Sequence, residues 1–175
     1  MTTATALDLR TPPADPGEPP HGRPRVGVST EEARLLAGLA AGWEVLEIGT
    51  GLGVSTRALA RTAARVVTVD PDPWVHEVIV PGLHDPSVEC RRDWPPAGLD
   101  FDVIFVDGDH TARAVEADVV SALGRVRPNG LIVLHDWQLA EVRAGTRRAT
   151  DLPVYEIATT YGLGLLIAPE ESHAR

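Results

Sequence analysis

Glu44-Val-Leu-Glu-Ile-Gly-Thr-Gly-Leu-Gly-Val-Ser-Thr56 is the stretch whose reading decides the fold. Val45, Leu46 and Ile48 make a short apolar strand. Gly49, Gly51 and Gly53, with Thr50 between the first two, make a turn that bends tightly and lets a ligand come close to the backbone. A helix starting after Gly53 points its N-terminal N–H groups back at that ligand. Glu47 is the discordant residue. A carboxylate inside an apolar strand is costly unless it is paired, so Glu47 requires a cationic or hydrogen-bonding neighbour.

Upstream, Ser29 and Glu32 have capping-box spacing. Leu35, Leu36 and Leu39 continue with a helical stripe that Gly42 ends, and this helix is expected beside the first strand. Residues 1–28 contain Pro12, Pro13, Pro16, Pro19, Pro20 and Pro24 and few apolar groups. They read as a disordered or extended tail, and 29–175 as one domain.

Downstream, an Ala-rich helix reaches about Ala64, and Arg65 to Asp70 is a second strand closed by Pro71 and Pro73. A short helix is expected from Trp74 to Val80, and a third strand from Val88 to Arg92, ending at Asp93. Phe101 to Val106 is a strongly apolar fourth strand. Val115, Val119, Ala122 and Val126 keep helical spacing, Pro128-Asn129-Gly130 reads as a turn, and Leu131 to Leu134 is a fifth strand. A polar helix covers Ala140 to Arg148, and Val154–Thr159 with Leu163–Ala168 flank Tyr161-Gly162 as a hairpin. Strands alternating with helices imply an α/β fold: a mostly parallel sheet with helices on both faces and an antiparallel end.

The chain has 175 residues, a net charge of −9 and one cysteine, Cys90. The charge argues against non-specific nucleic-acid binding. A single cysteine excludes an internal disulfide and fits a reducing, cytoplasmic compartment. No apolar run approaches the roughly 20 residues of a membrane span, and no signal peptide is evident. Trp43 and Phe101 read as core, and Cys90 as a small buried residue. Trp74 reads as packing or as a stack on a ligand's base, and Trp137 as core or as a pocket wall.

Polar residues gather where the strands end: the glycine turn, Asp70, Asp93, Asp107-Gly108-Asp109-His110 and His135-Asp136. In an open α/β sheet, ligands bind outside the carboxyl ends of the strands, so these residues are expected to line one crevice. Asp70 lies 21 residues after Gly49, the place of an acid that accepts from ribose hydroxyls. A dinucleotide would require a glycine at position 54, where Val54 stands, and no Gly-Lys-Ser/Thr ending marks a P-loop.

Val45-Leu-Glu-Ile-Gly-Thr-Gly-Leu-Gly53, Asp70 and Arg92-Asp93-Trp94 together resemble class I S-adenosylmethionine (SAM)-dependent methyltransferases. The resemblance covers about residues 29–169. It implies a Rossmann-like, seven-stranded sheet whose last two strands form the hairpin. It also implies SAM binding by Glu47, Gly49, Thr50, Gly51, Gly53, Asp70, Asp93 and Asp107. An acidic pocket suits the ammonium and sulfonium of SAM better than it suits a pyrophosphate.

The second cluster resembles metal-dependent small-molecule O-methyltransferases. That likeness implies Asp107, His135 and Asp136 as ligands of Mg²⁺ or another divalent cation, with His135 where those families usually have a carboxylate. The same acids and histidine also read as metal-free hydrogen-bonding groups. Asp107 and His110 are the candidate catalytic residues, His110 as a general base or as a helix cap. The expected reaction is methyl transfer to a hydroxyl of a small molecule. The alternatives are a SAM-binding protein with other chemistry and a non-catalytic partner subunit. No lid insertion is evident, so the helix near Ser29, the tail or a second copy of the chain is expected to cover the site. A homo-oligomer follows from the last of these.

Overall fold

The computed structural model describes residues 27–170. A seven-stranded sheet has the order β3-β2-β1-β4-β5-β7-β6. Its strands are β1 (Glu44–Ile48), β2 (Arg65–Val69), β3 (Val88–Arg91), β4 (Phe101–Val106), β5 (Val126–Leu134), β6 (Tyr155–Ile157) and β7 (Leu163–Ile167). The first five pair in parallel, and β7 is antiparallel to both β5 and β6. The parallel core with a closing antiparallel hairpin is therefore as expected.

Strand period divides the core into two layers. Val45, Val103, Phe105 and Val133 face α1 (Thr30–Leu39) and α2 (Val54–Ala60). Leu46, Ile48, Ile104, Val106, Ile132 and Leu134 face α3 (Ala112–Leu123) and α4 (Ala140–Ala149). Glu47 follows the parity of Val45, so the alternation itself delivers a carboxylate into the α2 side of the core. Val28 is buried in that same layer. Residues 1–26 of the expected tail lie outside the described residues.

Helix α1 begins as read, with Ser29 and Glu32 capping each other. Its buried face is Glu32, Ala33, Leu36 and Ala37, while Leu35 is partly exposed. The segment after β2 is a π turn, Val75–Ile79, followed by a 3-10 turn, Val80–Gly82, in place of a regular helix. Pro81 has no N–H to continue an α-helical ladder. Trp43 is half exposed and not core, because it precedes β1 outside both layers, whereas Phe101 is buried. Cys90 is half-buried.

The larger difference is at Pro128-Asn129-Gly130, which is not a turn between elements. It lies inside the nine-residue β5, where the register against β4 shifts. Asn129 takes φ 61°. A Cβ on Gly130 would lie 2.7 Å from the Asp102 carbonyl oxygen. The three residues form a β-bulge.

Candidate active site

The carboxyl ends of β1, β2, β4 and β5 surround a crevice of about 820 Å³, within the size range of small-molecule sites. The glycine turn forms its floor. Gly49 has φ 96°, and a Cβ there would stand 2.2 Å from the Asp107 carbonyl oxygen. Only glycine lets the β1 turn pass this close to the end of β4. Gly51 N donates to Asp70 Oδ2 at 3.0 Å and Asp72 N to Asp70 Oδ1 at 2.9 Å. Each oxygen keeps a second lone pair, so Asp70 is fixed in place yet able to accept from a ligand. His76 Nε2 reaches the Asp70 carbonyl oxygen at 2.7 Å and supports the same corner.

Of the expected cofactor residues, Gly49, Thr50, Gly51, Asp70, Asp93 and Asp107 line the crevice. Glu47 and Gly53 do not line it. Glu47 is fully buried beneath the turn, where Thr56 Oγ1 donates to its Oε2 at 2.5 Å. Its Oε1 has no hydrogen-bond partner among the described residues. Burial pushes its carboxyl up to about 7, against the hydrogen bond from Thr56. The structure therefore places Glu47 as a strut between β1 and α2. Thr50 and Thr68 hydroxyls, 2.6 Å apart, complete that buried layer.

Across the crevice, Asp107, His110, His135 and Asp136 converge. One ligand atom from each lies within 4.8 Å of all the others. His110 Nε2 is 3.0 Å from Asp136 Oδ2 and 3.4 Å from Asp107 Oδ1. His135 Nδ1 is 3.0 Å from Asp107 Oδ1 and 3.3 Å from Asp136 Oδ2. These contacts are close but not aligned as N–H···O bonds, and both nitrogens are buried without a partner among the described residues. Asp136 has φ 52°, a left-handed turn that aims its carboxylate back at the imidazoles. Trp137 N donates to Gly162 O at 3.0 Å, and the Arg143 guanidinium donates to the carbonyls of Trp137 and Gln138, so this turn is pinned on both sides. Trp137 itself is buried in the core and does not line the crevice.

The charges are mutually supporting. Burial opposes ionisation of Asp107, but the two imidazoles hold its carboxyl below the usual range. The Asp107 carboxylate draws His110 upward. Burial would lower His135, yet Asp107 and the neighbouring carboxylates raise it to about 9.

One participant is absent from the sequence reading of the site. Glu32, the capping-box acid, is fully buried. Its Oε2 accepts from Ser29 N at 2.8 Å and lies 3.4 Å from His135 Nε2. Its Oε1 accepts from Thr159 Oγ1 at 2.7 Å and Tyr161 N at 2.9 Å. Burial alone would raise it, but these donors hold its carboxyl at about 2. The Tyr161 ring stands edge-on to His135, with centroids 5.6 Å apart. Asp118, on α3, is a further unforeseen lining residue, pushed up to about 6 by burial and by Asp109.

A methyltransferase-domain family matches residues 46–137, more than half of the chain. Among solved structures, cofactor-bound Rv0187 from MTB is 28% identical, with a TM-score of 0.71 over 85% of this chain and 84% of its own. A methyltransferase from Geobacter sulfurreducens is 26% identical, with a TM-score of 0.62 over 81% of this chain and 80% of its own. The O-methyltransferase TomG from Streptomyces achromogenes, involved in tomaymycin synthesis and solved with SAM, is 24% identical, with a TM-score of 0.66 over 83% of each chain. That last likeness speaks for the fold alone. No curated protein matches the chain.

Proposed function

The chain belongs to this methyltransferase-domain family, and from that premise we propose that it moves the methyl group of SAM to a hydroxyl oxygen of a small molecule. The observation that carries the reading is the distribution of acids around one crevice. Asp70 and Asp93 lie on the β2–β3 side, and Asp107, Asp109, Asp118 and Asp136 on the other. Such a wall favours a ligand with positive charges, as SAM has, over a phosphate.

In this reading Asp70 receives the ribose hydroxyls and Asp93 and Trp94 the adenine. Arg125 stacks over Trp94 at 5.5 Å and holds the indole in place. The methionine end runs along Gly49–Gly51, directed towards Asp107. Glu47 acts through the turn it supports. SAM supplies a methyl group activated by its sulfonium. The C–S bond breaks as the C–O bond forms, S-adenosylhomocysteine leaves, and the acceptor's proton passes to the group of Asp107, His110, His135 and Asp136. Holding the two reactants in line is the largest part of such catalysis.

The same group fits a divalent ion, since two buried imidazole nitrogens face carboxylate oxygens without forming hydrogen bonds. Asp107, His135 and Asp136 would hold the ion, which when bound lowers the pKa of the acceptor hydroxyl and fixes its direction.

The proposal includes a homo-oligomer in which a second copy closes the acceptor side. A monomer in sedimentation at micromolar concentration would remove that part. Among the described residues, no helix is long and apolar enough to cross a membrane.

The test is to incubate the protein with SAM and a panel of hydroxylated metabolites, reading S-adenosylhomocysteine and methyl ether by mass spectrometry. Formation of both supports the reading. Consumption of SAM without S-adenosylhomocysteine, or no binding of SAM in calorimetry, overturns it.

A further inference from the structure

We infer that His76 is a positioning residue for cofactor binding: from outside the crevice it fixes the backbone of Asp70, and through Asp70 it sets the affinity for the cofactor's ribose. The inference rests on the cofactor placement proposed above, in which Asp70 receives the ribose hydroxyls.

Asp70 stands just past the end of β2 and is buried. Its carboxylate is oriented from two sides, by Gly51 N at 3.0 Å and by Asp72 N at 2.9 Å. Its backbone has less local support. A carbonyl at the end of a strand needs a donor, and none of the next five residues, Pro71 to Val75, supplies one. Pro71 and Pro73 have no N–H. The N–H of Asp72 is used on the Asp70 carboxylate, that of Trp74 on Asp72 Oδ1 at 2.9 Å, and that of Val75 on the Asp72 carbonyl at 3.1 Å. His76 Nε2 answers instead, 2.7 Å from the Asp70 carbonyl oxygen. A carbonyl only accepts, so this nitrogen carries the hydrogen.

His76 lies in the π turn Val75–Ile79, where Val80 N donates to Val75 O. Such turns are rare and concentrate at functional sites. The imidazole is partly buried and does not line the crevice, so its effect on a ligand passes through Asp70. With the bond made, the Asp70–Pro71 peptide keeps one orientation, and the carboxylate is presented to the crevice already fixed. Without it the carboxylate samples several orientations, and a bound ribose has to select one of them. That lowers affinity for the cofactor and leaves the transfer step itself unaltered.

The experiment measures binding of S-adenosylhomocysteine to the full chain by calorimetry, which needs no acceptor. Glutamine and methionine are alike in shape and differ in the amide donor, so the pair isolates the hydrogen bond. His76→Gln should bind within about twofold of the unsubstituted chain, and His76→Met roughly fivefold more weakly, the size expected for one hydrogen bond. Both fill the space of the imidazole, and circular dichroism checks that both fold. A residue that merely stabilised the fold would lower affinity with or without Asp70. In an Asp70→Ala background, His76→Met should therefore change affinity by less than about twofold. Three results overturn the inference: equal binding by His76→Met and the unsubstituted chain, a loss in His76→Gln as large as in His76→Met, or losses that multiply in the double variant. Failure of the methyl-transfer reading looks different, because the unsubstituted chain then takes up no S-adenosylhomocysteine at all.

Discussion

Two polar clusters sit at opposite ends of strands β1, β4 and β5. At the amino end, the Arg127 guanidinium reaches Glu44 Oε2 and Asp102 Oδ2, each at 2.7 Å, and Asp102 also accepts from Glu44 N at 2.9 Å. At the carboxyl end, Asp107, His110, His135 and Asp136 crowd together with two nitrogens left without aligned partners. The first cluster is partly exposed and satisfied by its own members. The second is more buried and incomplete. A cluster that closes on itself needs nothing further, whereas one that stays open in a low-dielectric site is held for something it will bind.

The sharpest way to break this contrast is Asp107→Asn. The substitution keeps size and removes one charge from the open cluster. Turnover measured as S-adenosylhomocysteine formation should fall on the order of 10³-fold, with the circular dichroism spectrum retained. Unchanged turnover would make the carboxyl-end cluster as structural as the amino-end one.

The two glutamates of β1 carry the same contrast at smaller scale. Glu44 is paired with Arg127, whereas Glu47 is buried with one oxygen unpartnered. Its folded-state carboxyl titrates at about 7 against 4.5 for the ordinary group. The sign follows from that order. Below 4.5 the residue is neutral in both states and costs nothing. As pH rises from 4.5 to 7 the unfolded chain ionises first, so stability is lost, and the loss is complete above 7. At about 1.4 kcal/mol per pH unit the loss is about 3 kcal/mol. Denaturant unfolding of the cofactor-free protein should find Glu47→Gln about 3 kcal/mol more stable than wild type at pH 8 and equal to it at pH 4. A gap that does not change with pH would mean that the Glu47 carboxyl titrates at its ordinary value in the folded protein.

These contrasts also mark what the sequence could disclose. The glycine turn, the apolar β4 and the strand-end acids are local signals, and they located the sheet and the crevice. The hairpin was equally legible from Tyr161-Gly162. Pro128-Asn129-Gly130 misled because its local preference is a turn. Pairing with β4 and the Arg127 ion pairs override that preference and leave a bulge. Glu32 was hidden for a different reason. Its capping box gave it a full local explanation, while Thr159, Tyr161 and His135 stand more than a hundred positions away. Glu47 stands out as anomalous in the sequence, but nothing in its neighbours shows that Thr56 answers it from α2. His110 was legible as chemistry and not as geometry, since its approach to Asp136 depends on the left-handed turn after β5.

The smallest expected effect tests the closed cluster. The Arg127 side chain is 41% exposed, so its two ion pairs lie in a high-dielectric setting where salt screens them and side-chain ordering offsets the attraction. Arg127→Ala should lower stability by no more than about 1 kcal/mol at low ionic strength, and by less as salt is added. Methyl transfer should be untouched, because the residue lies at the far end of the strands from the crevice. A larger, salt-insensitive loss would show that Arg127 also holds the Pro128–Gly130 bulge in register. The amino-end cluster would then help set where β5 delivers His135, and the two ends of the strands would not be independent.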